Sequence, residues 1–238
     1  MTPLVLLPGM NCTADLWTGC GVDDARTPEL TEDDLGRQVE RLLDELPPVF
    51  AIGGLSLGGI VAMALAVRAP ERVSGLFVAS TNAKAPTDAQ RASWRRWLAR
   101  LDAGDAPRDL QAEILGALLG PGVVARRPDL VERTLRMGAE TAPGALAMQL
   151  HLQGTRVDLR EGLRRVRVPT LVLSASDDVL CPPAFHEEIL AAVADGIPVS
   201  VDAGHLSPVE RPDEVGAAVR AWWSAVSRGP RAARADDA

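Results

Sequence analysis

The sequence predicts an α/β fold with a mostly parallel, doubly wound sheet and a block of helices inserted between two strands. Short apolar runs rich in β-branched residues alternate with helical stretches along most of the chain. The alternation stops between Thr81 and Arg167, where only helical segments occur. The 238 residues are 47% hydrophobic and 24% charged, which is enough apolar material for one sizeable core.

Five apolar runs have the length and composition of buried strands in a parallel sheet. They are Leu4–Leu7, Val49–Gly53, Ser74–Ser80, Thr170–Ser174 and Pro198–Val201. A further segment, Gly21–Ala25, is poorly patterned and would bring the sheet to about six strands.

Helical spacing of apolar residues predicts two groups of helices. Those expected to cover the sheet are Glu32–Leu46, Leu57–Arg68, Pro183–Val193 and Asp213–Val226. Those of the insertion are Ala89–Leu101, Leu110–Leu119, Leu130–Ala139 and Ala145–Gln153. The predicted organisation is a core of residues 1–81 and 167–227, a helical cap of residues 82–166, and a disordered C-terminal tail of residues 228–238. We expect the cap to roof a pocket, the alternative being a helical subdomain without a role in chemistry.

A G-x-S-x-G pattern, Gly54 to Gly58, lies between a predicted strand and a predicted helix. Such a strand-to-helix turn presents the hydroxyl of its serine, Ser56, at the carboxyl edge of the sheet and at a helix N-terminus. Glycines at both ends let the backbones pass each other without a Cβ clash. The alternative is a glycine-rich turn in which Ser56 caps the helix.

A serine nucleophile needs a base, and His205 is the best placed of the three histidines because it follows the last predicted strand. His186 falls within a predicted helix and is expected at the surface, while His151 lies in the insertion as a pocket or lid residue. An acid after the preceding strand would orient His205, and both Asp177 and Asp178 are available. We favour Asp178, with the other carboxylate serving a turn or helix cap.

Composition excludes several other classes of protein. The net charge of −7 argues against nucleic-acid and anionic-membrane partners. Three scattered cysteines form neither a disulfide scaffold nor a metal-ligand spacing, so we expect a cytoplasmic protein without a metal site. The apolar run at the start ends at Pro8, too short for a signal peptide or a membrane span.

Six segments together resemble the α/β-hydrolase superfamily, and in particular small bacterial hydrolases similar to 3-oxoadipate enol-lactonases and the carboxylesterase of biotin synthesis. The segments lie between Leu4 and Val226; they are Leu6–Met10 followed by Trp17, Gly54–Gly59, Ala69–Val73, Pro169–Leu173, Asp178 four residues before Pro182, and Gly204–Pro212. The order of nucleophile, acid and histidine is also that of this superfamily.

The resemblance implies an α/β-hydrolase fold with Ser56, Asp178 and His205 as a catalytic triad. It also implies that the backbone N–H groups of Met10 and Leu57 form the oxyanion hole. The chain departs from the family in Pro8, where a histidine is usual, and in the short stretch between Gly9 and Ser56. We therefore expect about six strands, with the family's first edge strands missing.

The predicted function is a serine hydrolase acting on a small ester, lactone or thioester through an acyl-enzyme, without a cofactor. The alternatives are carbon–carbon cleavage, elimination or cyclisation at the same site, or a ligand-binding protein without turnover. The expected partner is a small-molecule substrate, and the chain is expected to be a monomer or homodimer. The tentative pocket residues are Trp17, Trp97, Met148, His151 and Leu206. Arg127 and Arg156 are candidates for holding a substrate carboxylate, but a solvated surface role is favoured because arginine is so abundant here.

Overall fold

The protein, described by a computed structural model over residues 1–229, is built on a parallel sheet. Its five strands within that range are β1 (Leu4–Leu7), β2 (Phe50–Leu55), β3 (Val73–Ala79), β4 (Thr170–Ala175) and β5 (Gly196–Val201). They lie side by side in chain order, and every neighbouring pair is parallel. All carboxyl ends therefore meet at one edge, where the loops after the strands carry the candidate site. The predicted α/β fold is confirmed.

The expected sixth strand at Gly21–Ala25 was wrong. The chain makes only one isolated bridge beside β1, between Val5 and Arg26, with two backbone hydrogen bonds of 2.9 Å. Gly21 has a φ of +63°, and the Ala25 N–H donates to the Val22 carbonyl in a turn. A chain that turns within five residues cannot keep the extended geometry of a strand.

The helices connect and cover the strands. In chain order they are α1 (Leu35–Glu45), α2 (Leu57–Arg68), α3 (Asp88–Asp102), α4 (Pro107–Glu113), α5 (Leu115–Leu118), α6 (Val123–Arg126), α7 (Pro128–Glu140), α8 (Pro143–Gly154), α9 (Arg160–Leu163), α10 (Pro183–Ala192), α11 (Ser207–Glu210) and α12 (Pro212–Ser227). No helix in the described range has the length and apolar character needed to cross a membrane.

Two apolar clusters form the core, one on each face of the sheet. Helices α1, α2 and α10 pack on one face, with the fully buried Phe50 beneath them. On the other face α12 packs against Phe77, whose ring lies between Trp17 and Trp222 with centroid distances of 6.1 and 6.2 Å. Both faces are therefore covered, as buried strands require.

The inserted helices contribute to both clusters as well as packing on each other. Leu110, Leu146 and Leu150 form a small cluster of their own. Leu152 joins the cluster under α2, and Leu119 joins the one under α12. The division into a core and a cap of residues 82–166 stays a prediction. Of the predicted tail, residues 230–238 lie outside the described residues.

Gly216 in α12 tests how tightly the segment after β1 is held against the core. A Cβ at Gly216 would lie 2.0 Å from the Cys20 carbonyl oxygen, so we expect Gly216→Ala to lower the free energy of unfolding by about 1–3 kcal/mol or more. The matched control is Gly144→Ala in α8, where a Cβ meets no atom within 4 Å. It should leave stability unchanged or raise it by up to about 1 kcal/mol. Equal urea midpoints for the two variants would contradict this packing.

Candidate active site

Ser56 occupies a sharp turn between β2 and α2. Its φ of +54° and ψ of −115° are a conformation that non-glycine residues rarely adopt. The turn is fixed from two sides, because the Ser56 N–H donates to the Ala79 carbonyl at 3.0 Å and the Thr81 hydroxyl donates to the Ser56 carbonyl at 2.8 Å. The Ser56 side chain makes no capping hydrogen bond to α2, so its hydroxyl is not committed to the helix-cap alternative.

The glycines of the motif are required by close backbone approach. A Cβ at Gly58 would lie 2.3 Å from the Leu7 carbonyl oxygen at the end of β1. A Cβ at Gly54 would lie 2.4 Å from the carbonyl carbon of Gly58. Both separations are shorter than any ordinary contact, so only glycine allows the turn to close against β1. The turn thereby lies beside the loop that begins after Leu7.

Met10 and Leu57 place two backbone N–H groups beside Ser56. Leu57 is the first residue of α2, so its N–H has no partner within the helix. Among residues 1–229, neither N–H donates to another protein group. Met10 and Ser56 line the same cavity. Two free donors, one in the loop after β1 and one at the N-terminus of α2, can stabilise an oxygen that gains negative charge.

Asn11 holds the loop after β1 and was not found by sequence reasoning. It is 1% exposed with a φ of +58°, a region that asparagine tolerates better than most residues. Its N–H donates to Gln149 Oε1 at 2.8 Å, and its side-chain Nδ2 donates to the Pro107 carbonyl at 2.9 Å. The residue that follows Met10 is thus tied to α4 and α8 of the insertion.

Asp178 and His205 are brought together by the loops after β4 and β5. Asp178 Oδ2 lies 2.9 Å from His205 Nδ1, and both side chains are buried. Asp178 Oδ1 accepts from the N–H groups of Leu180 and Cys181 at 2.9 and 2.8 Å. Although burial alone would raise the pKa of Asp178, the hydrogen bonds from His205 and these N–H groups hold it below its usual value.

This pairing fixes the tautomer of the histidine. A carboxylate only accepts hydrogen bonds, so Nδ1 of His205 carries the proton and Nε2 keeps a lone pair. His205 lines the same cavity as Ser56. Asp177 is exposed, and its N–H donates to the Ala203 carbonyl at 3.0 Å. The structure therefore brings Asp178, not its neighbour, to the histidine.

Two cysteines near Ser56 are poor nucleophiles. Burial raises the pKa of both Cys12 and Cys181 to about 12, so each remains a thiol near neutral pH. Potential ligand atoms of Asp178, Cys181 and His205 lie within 4.8 Å of one another. The carboxylate is already occupied by three hydrogen bonds, and a zinc site would need a thiolate. These groups therefore fit a hydrogen-bonded acid–histidine pair better than a metal centre.

Glu210 connects the loop after β5, which carries His205, to the inserted helices through hydrogen bonds. Its Oε1 accepts from the N–H of Gly120 at 2.9 Å and from the N–H of Gly204 at 3.0 Å. A Cβ at Gly204 would lie 2.4 Å from the Gly120 nitrogen, so the two loops are in direct contact. The Leu206 N–H adds a hydrogen bond of 2.9 Å to the Leu118 carbonyl. His205 is thus flanked by Leu206, which is hydrogen-bonded to the insertion directly, and by Gly204, which is linked to it through Glu210.

The cavity above Ser56 has a volume of about 250 Å³, suited to a small ligand. Trp97 and Leu206 line it, but the expectation that Trp17, Met148 and His151 also line it was wrong. The Trp17 ring instead packs beneath the sheet edge against Phe77. Met148 is 42% exposed and His151 is also exposed, because α8 turns Leu146, Leu150 and Leu152 inward instead.

His186 was expected at the surface, and that was wrong. The side chain is 2% exposed, and its Nε2 accepts a hydrogen bond from the Thr81 N–H at 3.2 Å. Burial lowers the pKa of His186 to about 4 despite the opposing charge of Asp178, so the ring is neutral near pH 7. It therefore supports the loop after β3, in which the Thr81 hydroxyl donates a hydrogen bond to the Ser56 carbonyl.

Comparisons with known proteins agree with this architecture. The family model described as "Alpha/beta hydrolase family" matches residues 7–218. Among curated relatives, 3-oxoadipate enol-lactonase 2 of Acinetobacter baylyi is 29% identical over 79% of this chain and 69% of that protein. Pimeloyl-[acyl-carrier protein] methyl ester esterase of Nitrosomonas europaea is 32% identical over 63% of this chain and 61% of that protein. A solved thermophilic esterase from Thermogutta terrifontis superposes with a TM-score of 0.87 at 25% identity, covering 95% of this chain and 90% of that one.

Replacing Glu210 tests whether its hydrogen bonds to Gly120 and Gly204 position His205. Glu210→Ala leaves two N–H groups without their acceptor, at a cost of about 1–3 kcal/mol each, and should lower kcat at temperatures where the variant is fully folded. Glu210→Gln keeps the Oε1 acceptor and should stay close to wild type in kcat and stability. Steady-state hydrolysis of a small ester with parallel urea unfolding provides both readouts. A wild-type kcat in the alanine variant would show that these two hydrogen bonds have no part in positioning the histidine.

The buried His186 predicts a specific pH dependence of stability. Between its ordinary pKa of 6.5 and the folded value of about 4, the unfolded chain binds a proton that the folded protein does not. Stability should therefore fall as pH falls through this window, by a total of about 3 kcal/mol. His186→Gln retains an acceptor for the Thr81 N–H and should remove this part of the pH dependence. His151→Gln, at an exposed position, is the control; if both variants keep the wild-type slope, His186 is not the responsible group.

Proposed function

The chain belongs to the alpha/beta hydrolase family, and on that premise we propose that it is a serine hydrolase of small esters or lactones. The observation that carries the proposal is the shared cavity. Ser56 on its strained turn and His205, hydrogen-bonded to a buried carboxylate, both face it. The named relatives, an enol-lactonase and a methyl ester esterase, support the same class of reaction.

In the proposed acylation step, the Ser56 oxygen attacks the substrate carbonyl while its proton passes to Nε2 of His205. The Asp178 carboxylate stabilises the imidazolium that forms and keeps the ring in the required tautomer. The carbonyl oxygen becomes an oxyanion and accepts hydrogen bonds from the N–H groups of Met10 and Leu57. When the tetrahedral intermediate collapses, the carbon–oxygen bond to the alcohol breaks and His205 returns the proton to it.

The acyl group is then released by water. His205 takes a proton from the water as its oxygen attacks the acyl carbonyl, and the same two N–H groups hold the second oxyanion. Collapse breaks the bond to Ser56, frees the carboxylic acid and restores the serine proton from His205. With a lactone the alcohol stays attached to the acyl chain, so a single hydroxy acid leaves. In both steps Asp178 stabilises the positive charge that develops on His205, and the N-terminus of α2 stabilises the negative charge of the oxyanion.

Substitution of the three residues proposed to take part in the reaction tests the assignment of roles. Ser56→Ala and His205→Ala should each lower kcat on the order of 10⁴-fold or more, because nucleophile and base act as one unit. Asp178→Asn should cause a smaller loss, because Ser56 and its base both remain. The matched control is Asp177→Asn, an exposed neighbour, which should stay close to wild type. Initial rates on a panel of short-chain esters and lactones provide the measurement.

The same panel separates the alternative functions. If Asp177→Asn is more damaging than Asp178→Asn, the assignment of the acid is wrong. If folded wild-type protein cleaves β-diketones but neither esters nor lactones, the site performs carbon–carbon cleavage rather than ester hydrolysis. If it turns over no substrate of either class, the result favours a ligand-binding protein.

A further inference from the structure

Arg156 is a buried cation on the wall of the cavity above Ser56. It follows α8, is 5% exposed, and lines the same cavity as Ser56 and His205. An arginine so deeply buried normally pairs with a carboxylate, because an isolated charge loses its hydration. Among residues 1–229, no aspartate or glutamate forms a salt bridge with Arg156. Its charge has no counterion in the described part of the chain.

The guanidinium is held in place by hydrogen bonds that use only some of its N–H groups. One terminal nitrogen, Nη1, donates to Gln153 Oε1 at 2.9 Å, and Nη2 donates to Gln90 Oε1 at 3.2 Å. The Cζ atom lies 5.2 Å from the centre of the Trp94 ring, which covers one face of the group. A guanidinium has five N–H donors, so three remain, and the buried Nε has no partner. A guanidinium that is already oriented and has free donors suits a bidentate acceptor such as a carboxylate.

The surrounding walls favour an anion and oppose a cation. No aspartate or glutamate contributes to the cavity lining within the described residues, and the polar groups there besides Arg156 are amides, hydroxyls, thiols, two indole N–H groups and the imidazole of His205. Burial lowers the pKa of Arg156 to about 10, an effect that nearby Arg91 strengthens, yet the group remains charged near pH 7. An anion that enters the cavity therefore meets one buried positive charge and no negative side chain on its walls.

We propose that Arg156 binds a carboxylate of the substrate, so that the preferred ester or lactone is anionic. This inference rests on the proposed function, because it names the substrate class for the same cavity. It assigns Arg156 the role of a binding residue that selects the substrate, while Gln90 and Gln153 orient its guanidinium. The two glutamines are neutral acceptors that leave the charge of Arg156 available.

The test compares substrates that differ only in charge. One arm uses methyl monoesters of unbranched dicarboxylic acids of four to eight carbons, against the same esters with the free acid replaced by a carboxamide. A second arm places the carboxylate in the leaving group, with acetyl esters of ω-hydroxy acids against their carboxamides. In at least one arm, wild-type kcat/KM should be tenfold or more higher for the acid than for the amide. An equal or inverted ratio in both arms would overturn the proposal.

Variants at two arginines then locate the effect. Arg156→Gln should bring the acid-to-amide ratio of kcat/KM close to one, and Arg156→Lys should retain a smaller preference than wild type. The matched control is Arg127→Gln, since Arg127 is an exposed arginine already paired with Asp129, and it should keep the wild-type ratio. Melting temperatures measured in parallel show whether each variant is folded under the assay conditions. An unchanged ratio in both Arg156 variants would contradict the assignment.

Binding to Ser56→Ala separates this inference from the proposed function. In calorimetry, Ser56→Ala should bind the ester that carries a free carboxylate at least tenfold more tightly than the matching ester with a carboxamide. The double variant Ser56→Ala/Arg156→Gln should not show this preference. If wild type hydrolyses neither ester but the binding difference is present, the hydrolase proposal fails and the anion site stands. If wild type hydrolyses both esters at equal rates and Ser56→Ala binds them equally, the anion site is refuted and the hydrolase proposal stands.

Discussion

At Ser56 the backbone adopts a φ of +54°, and close packing between the turn and the end of β1 holds it there. A side chain at Gly58 would collide with the Leu7 carbonyl, so the approach depends on glycine. The loop after β1, which supplies the Met10 N–H, then lies next to the N-terminus of α2, which supplies the Leu57 N–H. The positions of the proposed nucleophile and of both proposed oxyanion donors therefore depend on the contact between the first turn of α2 and the end of β1.

The inserted helices line part of the cavity and are hydrogen-bonded to the loops that carry Met10 and His205. Asn11 links the loop after β1 to α4 and α8, while Glu210 links the histidine loop to Gly120. These are hydrogen bonds between buried or half-buried groups, which are costly to leave unsatisfied. A change in the insertion can therefore alter the geometry of the reacting groups as well as the shape of the pocket. The proposed substrate pocket and the proposed reacting groups are therefore physically coupled.

Much of the site could be predicted because its signals are local. The turn at Ser56 is encoded by two glycines between an apolar strand and an apolar helix, and the histidine and the acid each follow a recognisable strand. The burial of His186 and the exposure of Met148 were missed because α8 and α10 carry apolar residues on most of their faces. Only packing against neighbouring elements decides which face turns inward. Asn11 and Glu210 form hydrogen bonds with residues 90 or more positions away in the chain, contacts that no local pattern encodes.

Peptide-mapped labelling with a small fluorophosphonate tests most directly whether Ser56 is the activated nucleophile. Such a reagent forms a stable bond only with a serine that a neighbouring base has activated. The account predicts one adduct per chain, located on the peptide that contains Ser56, and no adduct in Ser56→Ala. Absence of an adduct in folded wild-type protein, or the same adduct on another residue in Ser56→Ala, would contradict it.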